Sequence, residues 1–165
     1  MKILLHLIFL CLFVSGFGQN VQTLRSNKTF VHENAAGGNV KLLKNTEAVL
    51  YADGKVKFGT LAENCKLAFA YGSENYAEFQ LGTPVSFFPT GLVNSGTLVY
   101  DTPFRYTYDN EVKIVFAANT KITFDANGLV ICGTLAIDTE IPISDEAVKK
   151  FKSNTIFNVS DLGND

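Results

Sequence analysis

The sequence contains few of the residues on which nucleic-acid binding, metal binding and nucleophilic catalysis usually depend. It has two histidines and three cysteines among 165 residues. Arg25 and Arg105 are the only arginines, and the lysines are scattered along the chain. Because nucleic acids and anionic membranes are recognised by clustered Lys and Arg, we expect neither of them as a partner.

The first 18 residues have the pattern of a secretory signal peptide. Lys2 precedes an apolar run from Ile3 to Val14, which gives way to small residues up to Gly18. That run is shorter than the roughly 20 residues of a membrane-spanning helix; an uncleaved anchor and a buried N-terminal helix are the alternatives. We expect cleavage before Gln19 and a secreted or periplasmic location at a bacterial cell envelope, with no membrane span left. The mature chain would carry 13 basic and 16 acidic side chains.

The remaining chain repeats itself every 37 residues. The recurring positions are turn glycines at 54, 91 and 128 and Thr-Leu pairs that start at 23, 60, 97 and 134. Periods of 20 to 50 residues are typical of repeat architectures. The sequence therefore predicts a β-repeat domain over residues 19–144, with a truncated copy at its start.

Each copy is predicted to form about four short strands. Asp53-Gly54 and Asn127-Gly128 favour tight hairpin turns, and the alternation in "VSFF" and "ITFD" is that of half-buried strands. A second glycine, at 59, 96 and 133, is interpreted as a corner where the chain turns from one sheet face to another. Past it, Asn64, Asp101 and Asp138 are expected to bond nearby backbone N–H groups in a turn.

No single copy can bury its own apolar face, so the copies are expected to stack. Leu50, Phe87 and Phe124 would then form one apolar ladder. We predict an all-β open array or solenoid of four-stranded repeats; a closed, β-trefoil-like body is the alternative. Residues 145–165 are predicted to be a short capping helix and a tail, because "SDEAVKKFK" places an N-cap and acids first and lysines last.

The pattern F-x-x-x-G-x-V-x-x-G-T-L-A-x-D-T in "FDANGLVICGTLAIDT" resembles repeats of exported, largely uncharacterised bacterial β-hairpin proteins. Its F-x-x-N-G hairpin is more distantly similar to MORN and YwqK-type repeats, whose MORN units are shorter. The resemblance covers about residues 22–143. It implies an all-β repeat fold in an exported bacterial protein and brings no catalytic residues with it.

The residues of the mature chain predict no catalytic, cofactor or metal site, and we do not expect an enzyme. His32 is its only histidine, G-x-S-x-G is absent, and a structural role is expected for the imidazole. C-x-x-C and H-x-x-x-H are also absent, and Ala136 replaces the Glu that a calcium loop beginning at Asp125 needs. Cys65 and Cys132 are either paired or free.

Tyrosines are the candidate ligand contacts, since they stack on sugars or partner side chains when a rigid scaffold presents them. These are Tyr71, Tyr76, Tyr100, Tyr106 and Tyr108; half-buried strand packing is their alternative role. The sequence thus favours a non-enzymatic exported binding or structural module with a protein or glycan partner. A small carbohydrate-binding module is the alternative.

Overall fold

The chain forms short strands almost throughout the residues that the computed structural model describes, which are 20–107, 113–142 and 147–162. The only helix in these ranges is one 3-10 turn at Val159–Leu162. The predicted all-β class is confirmed, whereas the predicted signal peptide lies outside the described residues. The strands are β1 (Asn20–Thr23), β2 (Lys28–Val31), β3 (Asn39–Leu42), β4 (Glu47–Leu50), β5 (Val56–Thr60), β6 (Cys65–Ala68), β7 (Tyr76–Phe79), β8 (Pro84–Phe87), β9 (Val93–Thr97), β10 (Thr102–Arg105), β11 (Lys113–Phe116), β12 (Lys121–Phe124), β13 (Val130–Thr134), β14 (Thr139–Pro142), β15 (Val148–Phe151) and β16 (Ile156–Asn158).

The strands divide into one large sheet and four separate hairpins. Eight strands pair in the antiparallel order β1-β4-β5-β8-β9-β12-β13-β16. The hairpins are β2–β3, β6–β7, β10–β11 and β14–β15. Isolated bridges tie the hairpins to the residues that follow the sheet strands, at Leu42 and Leu61, Phe79 and Leu98, and Phe116 and Leu135. The chain therefore alternates between two strands in the sheet and one hairpin outside it.

The predicted hairpin turns are confirmed. β4–β5, β8–β9 and β12–β13 are antiparallel pairs. Their turn glycines Gly54, Gly91 and Gly128 have φ of 85°, 81° and 88°. Residues with a side chain rarely adopt this left-handed conformation, and this explains why glycine recurs at the turn.

The second glycine of each copy is not a corner, so that interpretation is wrong. Gly59 lies within β5 and pairs with Val85 of β8. A Cβ atom at Gly59 would lie 2.6 Å from the Leu42 side chain. At Gly96 it would lie 2.5 Å from Phe79, and at Gly133 2.6 Å from Phe116. Glycine recurs because an apolar side chain from the hairpin lies directly over the sheet strand.

The core lies between the sheet and the hairpins. Leu50, Phe87 and Phe124, the predicted ladder, are all buried from the sheet side. Leu67, Phe104 and Ile141 are buried from the hairpin side. The rings of Phe104 and Phe124 meet edge to face with centroids 5.1 Å apart, and this contact joins the two layers.

The Asn/Asp position of each copy bonds to distant rather than nearby backbone. The side-chain oxygens accept hydrogen bonds from N–H groups beyond the following hairpin, Asn64 from Leu81 at 2.8 Å, Asp101 from Ala118 at 2.7 Å and Asp138 from Ser153 at 2.8 Å. The predicted hydrogen bonding to backbone N–H is present, but its partners were wrongly placed. Each short polar side chain ties together the entry and the exit of one hairpin.

The predicted C-terminal helix is wrong. Residues 143–146 lie outside the described ranges, but Val148–Phe151 is strand β15 and pairs with β14. Phe151 lies opposite Thr139, as Phe116 lies opposite Thr102 one copy earlier. Isolated helices of fewer than about 12 residues are marginal in water. Cross-strand pairing and the contact of Phe151 with Phe157, 5.7 Å between centroids, favour the strand instead.

Gly96→Ala is expected to destabilise the fold by about 1 to 3 kcal/mol, because the added methyl group overpacks the Phe79 ring. Gly37→Ala is the matched control, since a Cβ there meets nothing within 4 Å and Gly37 has no positive φ. Urea unfolding of the two variants measures the difference. Equal losses would show that the glycine does not make room for the ring.

Candidate binding surfaces

A surface cleft of about 380 Å³ lies beside the first hairpin. Its walls come from β2 and the residues after it, and from the turn between β4 and β5. The lining residues are Phe30, Val31, His32, Glu33, Asp53, Gly54, Lys55 and Gly91. The Asn34 amide nitrogen donates to the Thr90 carbonyl at 2.9 Å, so the loop of the β2–β3 hairpin is held against the turn between β8 and β9. The cleft is therefore built by residues from three consecutive copies of the repeat.

The rim of the cleft carries a short chain of charges. The Lys55 ammonium lies 3.5 Å from a Glu33 carboxylate oxygen and 4.0 Å from one of Asp53. All three side chains are exposed, so these ion pairs contribute little to stability. With two carboxylates and one ammonium, the rim has a net negative charge and offers several hydrogen-bond acceptors.

His32 packs into the core edge at the base of the cleft. Its side chain is 6 % exposed and its ring lies 4.4 Å from the Phe87 ring, centroid to centroid. Neither ring nitrogen has a hydrogen-bond partner among the described residues. Burial lowers the pKa of His32, and the nearby Glu33 carboxylate only partly opposes it. The imidazole is therefore neutral at pH 7, and no described nucleophile is hydrogen-bonded to it.

A second surface is the sheet face that points away from the core. One line of cross-strand neighbours runs over all eight strands, and we name it the outer row: Val21, Val49, Phe58, Ser86, Ser95, Thr123, Cys132 and Asn158. At the usual spacing between neighbouring strands the row is about 34 Å long.

The outer row changes in character along its length. Val21 and Phe58 are exposed apolar side chains at the β1 end. In the middle, the hydroxyl oxygens of Ser86 and Ser95 are hydrogen-bonded at 2.8 Å. No residue of the row is charged. The face is suited to a broad contact that combines apolar burial with adaptable hydroxyl hydrogen bonds.

The structure does not bring the candidate tyrosines together. Tyr71 and Tyr100 are exposed, in the loop after β6 and in the turn before β10. Tyr76 is half-buried, and Tyr106 is buried against Phe157 at 5.9 Å. Tyr108 lies outside the described residues. Within the described ranges, no ring contact joins two of these tyrosines, so they do not make one stacking platform.

Cys65 and Cys132 are free thiols. Burial, together with the nearby carboxylates of Glu63 and Glu78, raises the pKa of Cys65 to about 11. The Cys65 thiol is therefore protonated and unreactive at neutral pH. Over residues 20–107, 113–142 and 147–162, no group of three His, Cys, Asp or Glu side chains is placed to hold a metal ion.

Neither surface was predicted from the sequence. The cleft joins residues 30–33 to residues 53–55 and to Gly91, and no local motif connects these segments. The outer row could have been found only by aligning strands across the copies. Among the described residues there is also no helix long and apolar enough to cross a membrane.

Comparisons with known proteins find no matching family model, curated protein or solved structure.

The pKa of His32 gives a testable pH dependence. Because the folded-state pKa lies below the value of about 6.5 in the unfolded chain, the unfolded state binds the proton more readily. The stability contributed by the neutral ring is fully present above pH 6.5 and is lost as the pH falls through the lower folded-state pKa.

Replacing His32 by Phe, which fills a similar space, is expected to remove this pH dependence below about pH 6.5. Urea unfolding of both proteins at several pH values measures it. Both proteins contain the same carboxylates, so the difference between their two pH profiles reports on His32. An unchanged slope in the variant would mean that the ring is not desolvated as described.

Proposed function

We propose that the protein is a non-enzymatic, exported β-repeat protein, built as an open array of four-stranded copies, that acts as a binding or structural module at the bacterial cell envelope. The observation that carries this proposal is the outer row. One uncharged row of side chains runs across all eight strands, on the face that points away from the core.

The strand order supports the open array. It has two ends, β1 and β16, and no pairing joins these two strands in the described residues. Each further copy adds a hairpin and two sheet strands in the same register. Stacked copies of this kind give long surfaces that macromolecules bind.

The composition of the outer row supports a macromolecular partner. Its hydroxyl groups donate and accept hydrogen bonds in many directions, and Val21 and Phe58 add apolar area at one end. A small ion has no charged group to bind in the row. A surface about 34 Å long matches an extended envelope component instead.

Retention on isolated cell envelopes tests the proposal. The full chain is expressed in its source bacterium, and the exported product is expected to begin at Gln19. Phe58→Glu places a charge in the apolar part of the row and is expected to reduce retention at least tenfold. Leu81→Glu is the matched control, because Leu81 is also an exposed apolar residue but lies outside both the outer row and the cleft.

Three outcomes would contradict the proposal. The product could keep residues 1–18 and stay in the cytoplasm. Phe58→Glu could be retained as well as the native protein. The purified protein could also show a turnover activity that His32→Ala abolishes, which would make it an enzyme.

The cleft favours a second candidate, a small carbohydrate-binding module. Its volume falls within the range of roughly 300 to 1,000 Å³ that ligand pockets usually have, and Phe30 lies in its wall next to the carboxylates of Glu33 and Asp53. An apolar wall beside acceptors is suited to a sugar ring and its hydroxyl groups.

A glycan array distinguishes this candidate from the first. If it is right, the exported protein binds glycans, and Glu33→Gln reduces binding at least fivefold because one acceptor becomes an amide. Glu140→Gln is the control, since Glu140 forms an exposed ion pair with Lys150 away from the cleft. Envelope retention without glycan binding would eliminate the second candidate.

A further inference from the structure

The two ends of the proposed array carry matching backbone groups. At each of three internal junctions, two hydrogen bonds join one copy to the next. At the second junction, the N–H of Gln80 donates to the carbonyl of Thr97, and the N–H of Val99 donates to the carbonyl of Glu78. The equivalent pairs are Leu43 to Thr60 and Ala62 to Lys41 at the first junction, and Ala117 to Thr134 and Ala136 to Val115 at the third.

Equivalent backbone N–H and carbonyl groups are present at the two ends of the proposed array, where there is no neighbouring copy to bond with them. The register of β14 with β15 makes Lys150 and Lys152 equivalent to Val115 and Ala117. By the 37-residue period, Thr23 and Arg25 are equivalent to Thr60 and Ala62. Within the described ranges, the Lys152 and Arg25 N–H groups bond to no other backbone group. A second copy would supply the missing partner for each end.

Gln22 obstructs that junction at the β1 end. It pairs with Ala48, as Gly59, Gly96 and Gly133 pair with Val85, Ile122 and Phe157. In the first copy, Gln22 thus occupies the position that the strand glycine has in the other copies. At the internal junctions, a Cβ atom there would lie 2.5 to 2.6 Å from the side chain above it. An incoming Phe151 would meet the Gln22 side chain in the same way.

Lys149 obstructs the junction at the other end. It lies opposite Ile141, as Val40, Ala77 and Ile114 lie opposite Phe30, Leu67 and Phe104. The three apolar residues are 0 to 4 % exposed. The Lys149 ammonium instead donates to the Asp161 carbonyl of the 3-10 turn. Covering it with another copy would bury a charge, which is costly without a charged partner.

We propose that Gln22 and Lys149 close the two ends of the array to a second copy of the chain. The inference rests on the proposed open array. The exported protein is then a single four-copy unit that carries a latent head-to-tail interface, with matched hydrogen-bonding groups and one blocking side chain on each face. Without both residues, the copies would join as the internal repeats do.

Complementary single variants test the proposal. Gln22→Gly opens only the β1 face, and Lys149→Ile opens only the opposite face. Each variant alone is expected to sediment as a monomer, like the native exported protein. Their equimolar mixture is expected to double in mass to a 1:1 dimer, and the double variant to grow into longer chains, because a heterologous contact repeats without closing.

Gln22→Ala is the matched control, because it removes most of the side chain but keeps the Cβ atom that meets Phe151. An equimolar mixture of Gln22→Ala with Lys149→Ile is expected to form no dimer. The far-ultraviolet circular dichroism of each variant shows that it is folded.

Self-association of the native protein, a mixture that stays monomeric, or equal association of the Ala and Gly variants would overturn the proposal. None of these results bears on envelope retention by the outer row, which is measured separately. The failure of this inference can therefore be distinguished from a failure of envelope binding.

Discussion

One contact sets the distance between the two layers of the protein. At each of the three junctions between copies, an apolar side chain at the end of a hairpin strand lies against a glycine in a sheet strand, as Phe79 lies against Gly96. Because no Cβ atom intervenes, the hairpin comes close enough for its backbone to bond with the sheet strand and the residues after it. The N–H of Gln80 then reaches the carbonyl of Thr97 at 2.9 Å. The packing contact and the junction hydrogen bonds depend on each other, so a change at the glycine affects both.

The sheet hairpins could be predicted from the sequence because their determinants are local. The Asp-Gly and Asn-Gly turns require a positive φ, and the alternation of apolar residues places one face of each strand toward the core. The period of 37 residues added that the same unit recurs. The period did not reveal which element contacts the strand glycine. Phe79 ends β7 and Gly96 lies in β9, so the two residues are not neighbours in the sequence. The corner interpretation failed for that reason.

The C-terminal helix was predicted wrongly because the period shifts by two residues there. Phe151 takes the place that a strict 37-residue period assigns to residue 153. The last strand of the final copy therefore could not be recognised by comparison with the other copies. Val148 and Phe151 are three residues apart, a spacing that fits a helix in isolation. Pairing with β14 supplies backbone partners along the whole segment, and such tertiary pairing outweighs the weak propensity of a short helix. The cleft around His32 escaped prediction for a related reason, since its walls come from separate hairpins.

Positions that depart from the repeat distinguish structural requirements from functional ones. Where three copies share a residue, packing, backbone conformation or hydrogen bonding explains it. Gln22 and Lys149 depart at buried columns. Gln22 lies in β1, at one end of the strand order, and Lys149 lies in the last hairpin, at the other end of the repeats. Outer-row residues also differ between copies, yet no packing requirement constrains them, because they face away from the core. Phe58, Ser95 and Cys132 occupy one column of that face and differ in size and polarity. This variation makes the two ends of the row chemically distinct, so a partner that binds across the sheet would have a defined direction along it.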